Sequence, residues 1–161
     1  MKEDAMKRAF TMIELVFVIV VIGILASIAI PRFAATRDDA EITKAIATIG
    51  AVKSSLATER QKRAIRGDFT TITSLSADGD VFSTFSADKQ GNKNPVLEST
   101  VSACKDANDA GCWVDNGDTT YTYRMPYDKS KTVTFTLTKG RFDCNVSLSG
   151  DEGKNCKILT Q

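Results

Sequence analysis

Hydrophobic positions follow three successive patterns along this chain. From Phe10 to Ile30 they are almost continuous, and Glu14 is the only ionisable side chain in the run, which stops at Pro31. From Arg32 to Arg66 they become periodic: Ala45, Ile49, Val52 and Leu56 recur at helical spacing and Ile42 and Ile46 widen the stripe, with Asp39, Lys44, Lys53 and Glu59 read as facing elsewhere. From Asp68 to Gly117 the chain is rich in Ser, Thr, Asp, Asn and Gly, with short apolar pieces at 69–75, 81–85 and 95–101. Beyond it, 119–125, 132–138 and 141–148 alternate as strands do, separated by turn residues that include Pro126, Asp128 and Gly140.

These patterns predict an α+β chain with one long N-terminal helix and a small C-terminal antiparallel sheet of three or four short strands. About 20 apolar residues in a helix cover the ~30 Å hydrocarbon core of a bilayer, so the first half of the helix is long enough to cross a membrane. Gly23 and Pro31 weaken it, because a proline inside a helix removes a donor and crowds the carbonyl four residues back, here that of Ser27. Glu59 and Arg63 form a favourably ordered pair one turn apart, and Gly67 supplies the stop. The amphipathic half needs something to bury its stripe, and the sheet is the available partner, with Trp113 at the edge of that core. The resulting segments are a leader at 1–9, a membrane and assembly helix at 10–31, an amphipathic helix at 32–67 and a β-rich head at 68–161. The connection from Asp68 to Gly117 is long enough to be read as functional surface.

Charge sharpens the picture at three places. A carboxylate inside a membrane span costs on the order of 2.5–3.5 kcal/mol on insertion scales, so Glu14 needs a reason to be there, where an ordinary anchor would carry Leu or Val. The order of features also differs from a secretory signal, whose cleavage site follows its apolar core, whereas the small residue Ala9 precedes this one. Lys2, Lys7 and Arg8 outweigh Glu3 and Asp4 in the leader, which favours a cytoplasmic N-terminus. Three of the 21 bases and two of the 20 acids lie in that leader, and the remaining 18 of each cancel, so no general attraction to nucleic acid is expected. The basic cluster Arg60, Lys62, Arg63 and Arg66 reads as a solvated helix end complementing the dipole, since no aromatics are interleaved with it for base stacking.

The stretch Arg8-Ala9-Phe10-Thr11-Met12-Ile13-Glu14-Leu15 resembles the class III leader junction of type IV pilins and type II secretion pseudopilins. The resemblance implies cleavage between Ala9 and Phe10 by a prepilin peptidase, N-methylation of Phe10, and a role for Glu14 in assembly. The family usually has Gly just before the cut, and this chain has Ala9. Gly23 and Pro31 stand where the family often has helix-softening residues. A cationic amine on Phe10 of one copy could pair with Glu14 of the next in low dielectric, making the acid a ruler of subunit register. The implied function is a non-enzymatic structural subunit of a type II secretion pseudopilus. Its alternative is a type IV pilin of a surface pilus for adhesion, motility or DNA uptake. The implied partners are other pilin-like subunits and an inner-membrane assembly platform with a cytoplasmic ATPase. The implied location is the bacterial inner membrane, single pass, with the head in the periplasm or on the surface after assembly. The rival from another class is a membrane-tethered binding domain that never polymerises.

Four cysteines, Cys104, Cys112, Cys144 and Cys156, all lie in the half expected outside, where disulfides persist. Three pairings are open, and proximity in sequence favours Cys104 with Cys112 and Cys144 with Cys156, the second tying a loose tail at 151–154 back to the last strand. It resembles the disulfide-bounded C-terminal loop of type IV pilins. The chain has no His, and the cysteine spacings lack the close pair of a zinc site. No cofactor is expected. A calcium loop is the nearest exception: Asp106, Asn108 and Gly111 fit three places of such a loop, but Ala110 replaces a ligand and Gly117 stands at the bidentate acid, leaving Asp115 and Asp118 as weak candidates.

Overall fold

The computed structural model describes residues 10–77, 79–99, 101–117 and 119–161. The chain divides into two compact units between Arg37 and Asp38. Helix α1, Met12–Ile65, contributes to both and is unbroken in secondary structure across Gly23 and Pro31. In the first unit its side chains are largely exposed, including Phe17, Ile24, Leu25 and Ile30. The window Met12–Ile30 has a mean hydropathy of 3.0 and none of it is buried, so by length and composition this segment can cross a membrane.

In the second unit the amphipathic stripe does what its spacing predicts. Ala45, Ile49, Val52 and Leu56 are buried, and Ile42 and Ile46 pack beside them. Glu59 and Arg63 follow at three- and four-residue intervals and lie on the same face, so both are buried as well. This corrects the expectation that Glu59 faces away and that Arg63 belongs to a solvated cluster: helical phase places these two side chains, and their charge is answered locally rather than by water. The helix ends in a Schellman motif. Gly67, with φ of 71°, donates to the Ala64 carbonyl at 3.0 Å, and the Asp68 N–H reaches the Arg63 carbonyl at 2.9 Å.

The sheet is an antiparallel meander in the order β1-β2-β3-β4. Its strands are β1 Cys112–Asp115, β2 Thr120–Met125, β3 Asp128–Thr138 and β4 Arg141–Cys144. Alternation works as expected in β2, which buries Tyr121, Tyr123 and Met125, and in β3, which buries Val133, Phe135 and Leu137. The first strand was not among the segments expected, because Cys112–Asp115 is too short to show an alternation of its own. It pairs with β2 in register Trp113↔Tyr123, which makes Trp113 a central residue of the core, 2% exposed, rather than an edge. On its other side Trp113 is bridged by the segment 102–104: its N–H donates to the Ser102 carbonyl and its carbonyl accepts from Cys104.

Two further findings concern the long connection, expected to be structured surface, and the tail, expected to be loose. The connection after α1 supplies Ile72, Leu75, Val81, Phe82, Phe85 and Val96 to the core, so it is an irregular but packed layer. Phe82 sits at φ of 56°, a left-handed conformation uncommon for a bulky residue. Its ring is enclosed by Trp113 at 5.0 Å, Tyr121 at 5.2 Å and Phe142 at 5.5 Å. The tail is a helix, α2, spanning Asp151–Thr160, with Cys156 and Leu159 buried and Asp151 and Glu152 in its first turn. Strand β4 accordingly ends at Cys144 instead of running on to Leu148. Gly153 is forced by the close approach of this helix to the preceding turn: a Cβ there would lie 2.1 Å from the Leu148 carbonyl oxygen.

Candidate functional site

The N-terminal turn of α1 holds the acid that the apolar run singles out. Thr11 precedes the first helical residue, and its N–H and hydroxyl both donate to Oε2 of Glu14, at 3.4 and 3.2 Å. In return the Glu14 N–H donates to the Thr11 hydroxyl at 3.3 Å. This is a reciprocal capping box, which satisfies donors that a helix start otherwise leaves without partners, and it places a negative charge where the helix dipole favours one. The signal was present in the sequence as Thr-x-x-Glu, and attention to the cost of burying Glu14 passed over it. Among the described residues Glu14 has no cationic partner, and Phe10 and Met12 beside it are exposed. The chain therefore offers an acidic, apolar-flanked helix start whose carboxylate is held, among the described residues, by neutral donors. Ala9 and the cleavage junction lie outside the described residues. Gly23 has open space around its α-carbon.

The head carries its polar chemistry at the opposite end of α1. Arg63 donates from Nε to Glu59 Oε1 at 2.9 Å, from Nη2 to the Ser86 carbonyl at 2.6 Å and from Nη1 to the Thr70 hydroxyl at 3.5 Å. Asn94 donates to both Glu59 oxygens at 3.2 Å. Three residues past the helix, Asp68 accepts from the backbone of Lys89 and of Thr70, both at 2.8 Å. These backbone donors, with the Thr70 side chain and the nearby Arg63 charge, hold its carboxyl down to about 2. Arg66 reaches Asp88, whose two oxygens also serve as acceptors for Gln90 and Asn92. Two buried ionised groups at the end of one helix thus pin the segment 68–94 without any regular secondary structure in it.

Cys104 is bonded to Cys112 and Cys144 to Cys156, with Cα separations of 5.2 and 6.0 Å. The first closes the loop that enters β1. The second joins the end of β4 to the buried face of α2. Of the residues considered for calcium, Asn108 accepts from Lys129 and Asp115 accepts from the Gly117 N–H. Beside them Asp109 Oδ2 accepts from the backbone of Lys105 and Asp106. Asp118 lies outside the described residues. Among the described residues no three acidic or cysteine side chains gather as a metal-binding group.

Comparison with known proteins bears on the first of these regions. Residues 4–30 match the model of the prokaryotic N-terminal methylation motif. A stretch of 50 residues is 50% identical to the type IV narrow pilus major component PilA5 of Thermus thermophilus, covering 31% of this chain and 43% of that protein. The chain thus spans less than half the length of this curated relative. No solved structure matches. The chain thus resembles type IV pilin-like proteins in two respects, a methylation motif at the start of a membrane-length helix and a stretch of 50 residues similar to a pilus component.

Proposed function

We propose that the chain is a non-enzymatic structural subunit of a type IV pilin-like filament, stored in the inner membrane through the first half of α1 and polymerised through it. The observation that carries this reading is Glu14: the single carboxylate in the apolar, membrane-length first half of α1, held among the described residues by the hydroxyl and N–H of Thr11. Neutral donors keep such an acid tolerable but leave its charge uncompensated, and a cation from a second copy is the partner that would compensate it. Processing between Ala9 and Phe10 would supply that cation as the N-methylated amine of Phe10. In this reading Glu14 exchanges an internal cap for an intersubunit ion pair, and Gly23 and Pro31 are the positions at which α1 gives way if assembly requires it. The head lies outside the cytoplasm, where its disulfides are stable. The required partners are a prepilin peptidase, further pilin-like subunits and an energised assembly platform.

Glu14→Ala tests the reading directly. It should insert in membranes at least as well as the parent and be cleaved, yet yield few or no filaments; normal filament yield would remove Glu14 from assembly. Mass spectrometry of assembled material should show residues 1–9 absent and a methyl group on Phe10, whereas an intact Met1 in the polymer would sink the proposal.

A secretion pseudopilus and a surface pilus are both compatible with this start. The surface pilus is favoured by the similarity to a pilus component and by two disulfide-closed loops in the head, which suit exposure to shear. Deleting the gene and assaying exoprotein release beside twitching and DNA uptake separates them: loss of secretion alone returns the pseudopilus to first place.

A further inference from the structure

Between the last turns of α1, the segment after it and the β3–β4 turn lies an open cleft of about 530 Å³, inside the range of small-ligand sites. It owes its shape to the two-residue turn Lys139-Gly140. Both residues have positive φ, 51° and 72°, the conformation that a tight hairpin demands of its central pair. At Gly140 the absent side chain is occupied space. A Cβ there would stand 2.8 Å from Cδ of Arg60, so the stem of Arg60 lies across the turn and is held by it. The Lys139 side chain issues from the same turn and also lines the cleft.

The charges here differ from those elsewhere in the head. Arg63, Arg66, Arg124 and Arg141 each donate to a carboxylate or a carbonyl of the chain. Among the described residues Arg60 makes no hydrogen bond or ion pair, and neither does Lys139. Asp68, the acid in the cleft, has both oxygens committed to backbone donors. Around the two free cations stand Gln61, Thr70 and Thr71 as neutral hydrogen-bonding groups, and the Phe69 ring, 85% exposed, as an unused aromatic face. The cleft continues past Arg60 and Gly140 into a second one of about 350 Å³ beside Lys53 and Phe142. There the cations Lys53 and Arg141 share Asp143 as their partner, so neither is free.

We infer that this cleft binds an acidic sugar, a carboxylate-bearing pyranose within a glycan chain. Arg60 and Lys139 would take the carboxylate, the Phe69 ring would stack on the sugar face, and Gln61 and the threonines would meet its hydroxyls. The adjoining cleft, where Lys53 and Arg141 are both engaged by Asp143, would hold a neighbouring residue of the same glycan. One aromatic platform and a head without strong net charge fit a single ring far better than a nucleic-acid strand, which needs successive stacking surfaces and many phosphate contacts. The inference does not depend on whether the chain polymerises.

Calorimetric titration of the full chain in non-ionic detergent tests it, using a short oligogalacturonate, a neutral maltooligosaccharide of equal length and an oligothymidylate of equal charge. The uronate should bind saturably and the neutral sugar should not. Arg60→Gln and Lys139→Gln should each weaken binding by about tenfold, the value of one charge-assisted hydrogen bond. Phe69→Ala should weaken it as well, and Lys93→Gln, which removes an exposed cation elsewhere, should not. Arg60→Gln breaks no bond within the head, so an unchanged unfolding midpoint will certify its fold. Absence of saturable binding, equal loss with Lys93→Gln, equal affinity for the neutral sugar, or tighter binding of the oligothymidylate would each overturn the assignment.

Discussion

The buried pair at the end of α1 gives the sharpest quantitative prediction. Glu59 is 2% exposed and Arg63 is 1% exposed, and they are linked at 2.9 Å. Glu59→Leu removes the carboxylate while keeping an apolar side chain in its place, leaving the guanidinium with the Ser86 carbonyl and the Thr70 hydroxyl but no counter-charge. It also strips the Asn94 amide of both its acceptors. Breaking a buried pair from one side costs about 3–5 kcal/mol, and a half-buried amide left without an acceptor adds about 1 kcal/mol or more. For a head of this size that is a fall in melting temperature of roughly 15–25 °C. The double variant Glu59→Leu with Arg63→Met should recover most of the loss, since replacing both charges by apolar groups of similar volume is often nearly neutral. The assay is thermal and urea unfolding of the full chain in detergent, followed by near-ultraviolet circular dichroism of the aromatic core. A loss below about 1 kcal/mol for Glu59→Leu, or a double variant as unstable as the sum of the singles, would refute the claim that the pair is coupled and desolvated.

Three further outcomes follow from the same geometry. Replacing Cys144 and Cys156 together by Ser should cost about 2–4 kcal/mol through the freed loop, and hydrogen exchange should show α2 losing protection before the sheet does. Gly153→Ala should destabilise the head and detach α2 locally, because its Cβ would stand 2.1 Å from the Leu148 oxygen; unchanged exchange in α2 would contradict that packing. Asp68, whose carboxyl is held down to about 2 from 3.8, contributes stability that is fully present above the unfolded value and is lost as pH falls from about 4 through 2. In acid titration Asp68→Asn should flatten that part of the stability curve, and an unaltered acid limb would show that the two backbone donors do not hold the charge.

The parts of the fold that were legible are those where one period dominates. The stripe Ala45, Ile49, Val52 and Leu56, the stop at Gly67 and the alternation around Tyr121 and Tyr123 all rest on spacing that a single element enforces. Where sequence and structure differ, a polar side chain is buried. Glu59 and Arg63 continue the buried stripe in phase, and only their charge argued against it. The tail 151–160 is polar overall, yet Cys156 and Leu159 recur at helical spacing and the acids come first, so its helix was readable from phase and dipole. The packed layer 68–97 was not readable, because its apolar residues are placed by partners distant in sequence, as when the Leu75 N–H donates to the Tyr121 hydroxyl at 2.8 Å. At the candidate assembly site the isolation of Glu14 among apolar residues was plain in the sequence. Its bond to Thr11 was carried by a four-residue pattern that competed with a more conspicuous one.

The bridging of Trp113 by the segment 102–104 has a consequence for crowding. A sheet whose outer strands are open can recruit a strand from another molecule wherever copies meet at high local concentration. Here β1 already has a backbone partner on its outer side, fastened beside the Cys104–Cys112 bond. At the far side β4 is only four residues long and carries Arg141 and Asp143, with Lys53 reaching across to Asp143 at 2.9 Å. Neither margin offers a long, bare ladder of N–H and carbonyl groups. Heads so finished can collide without adhering as a continuous sheet, which leaves the helices to decide which contacts between copies last.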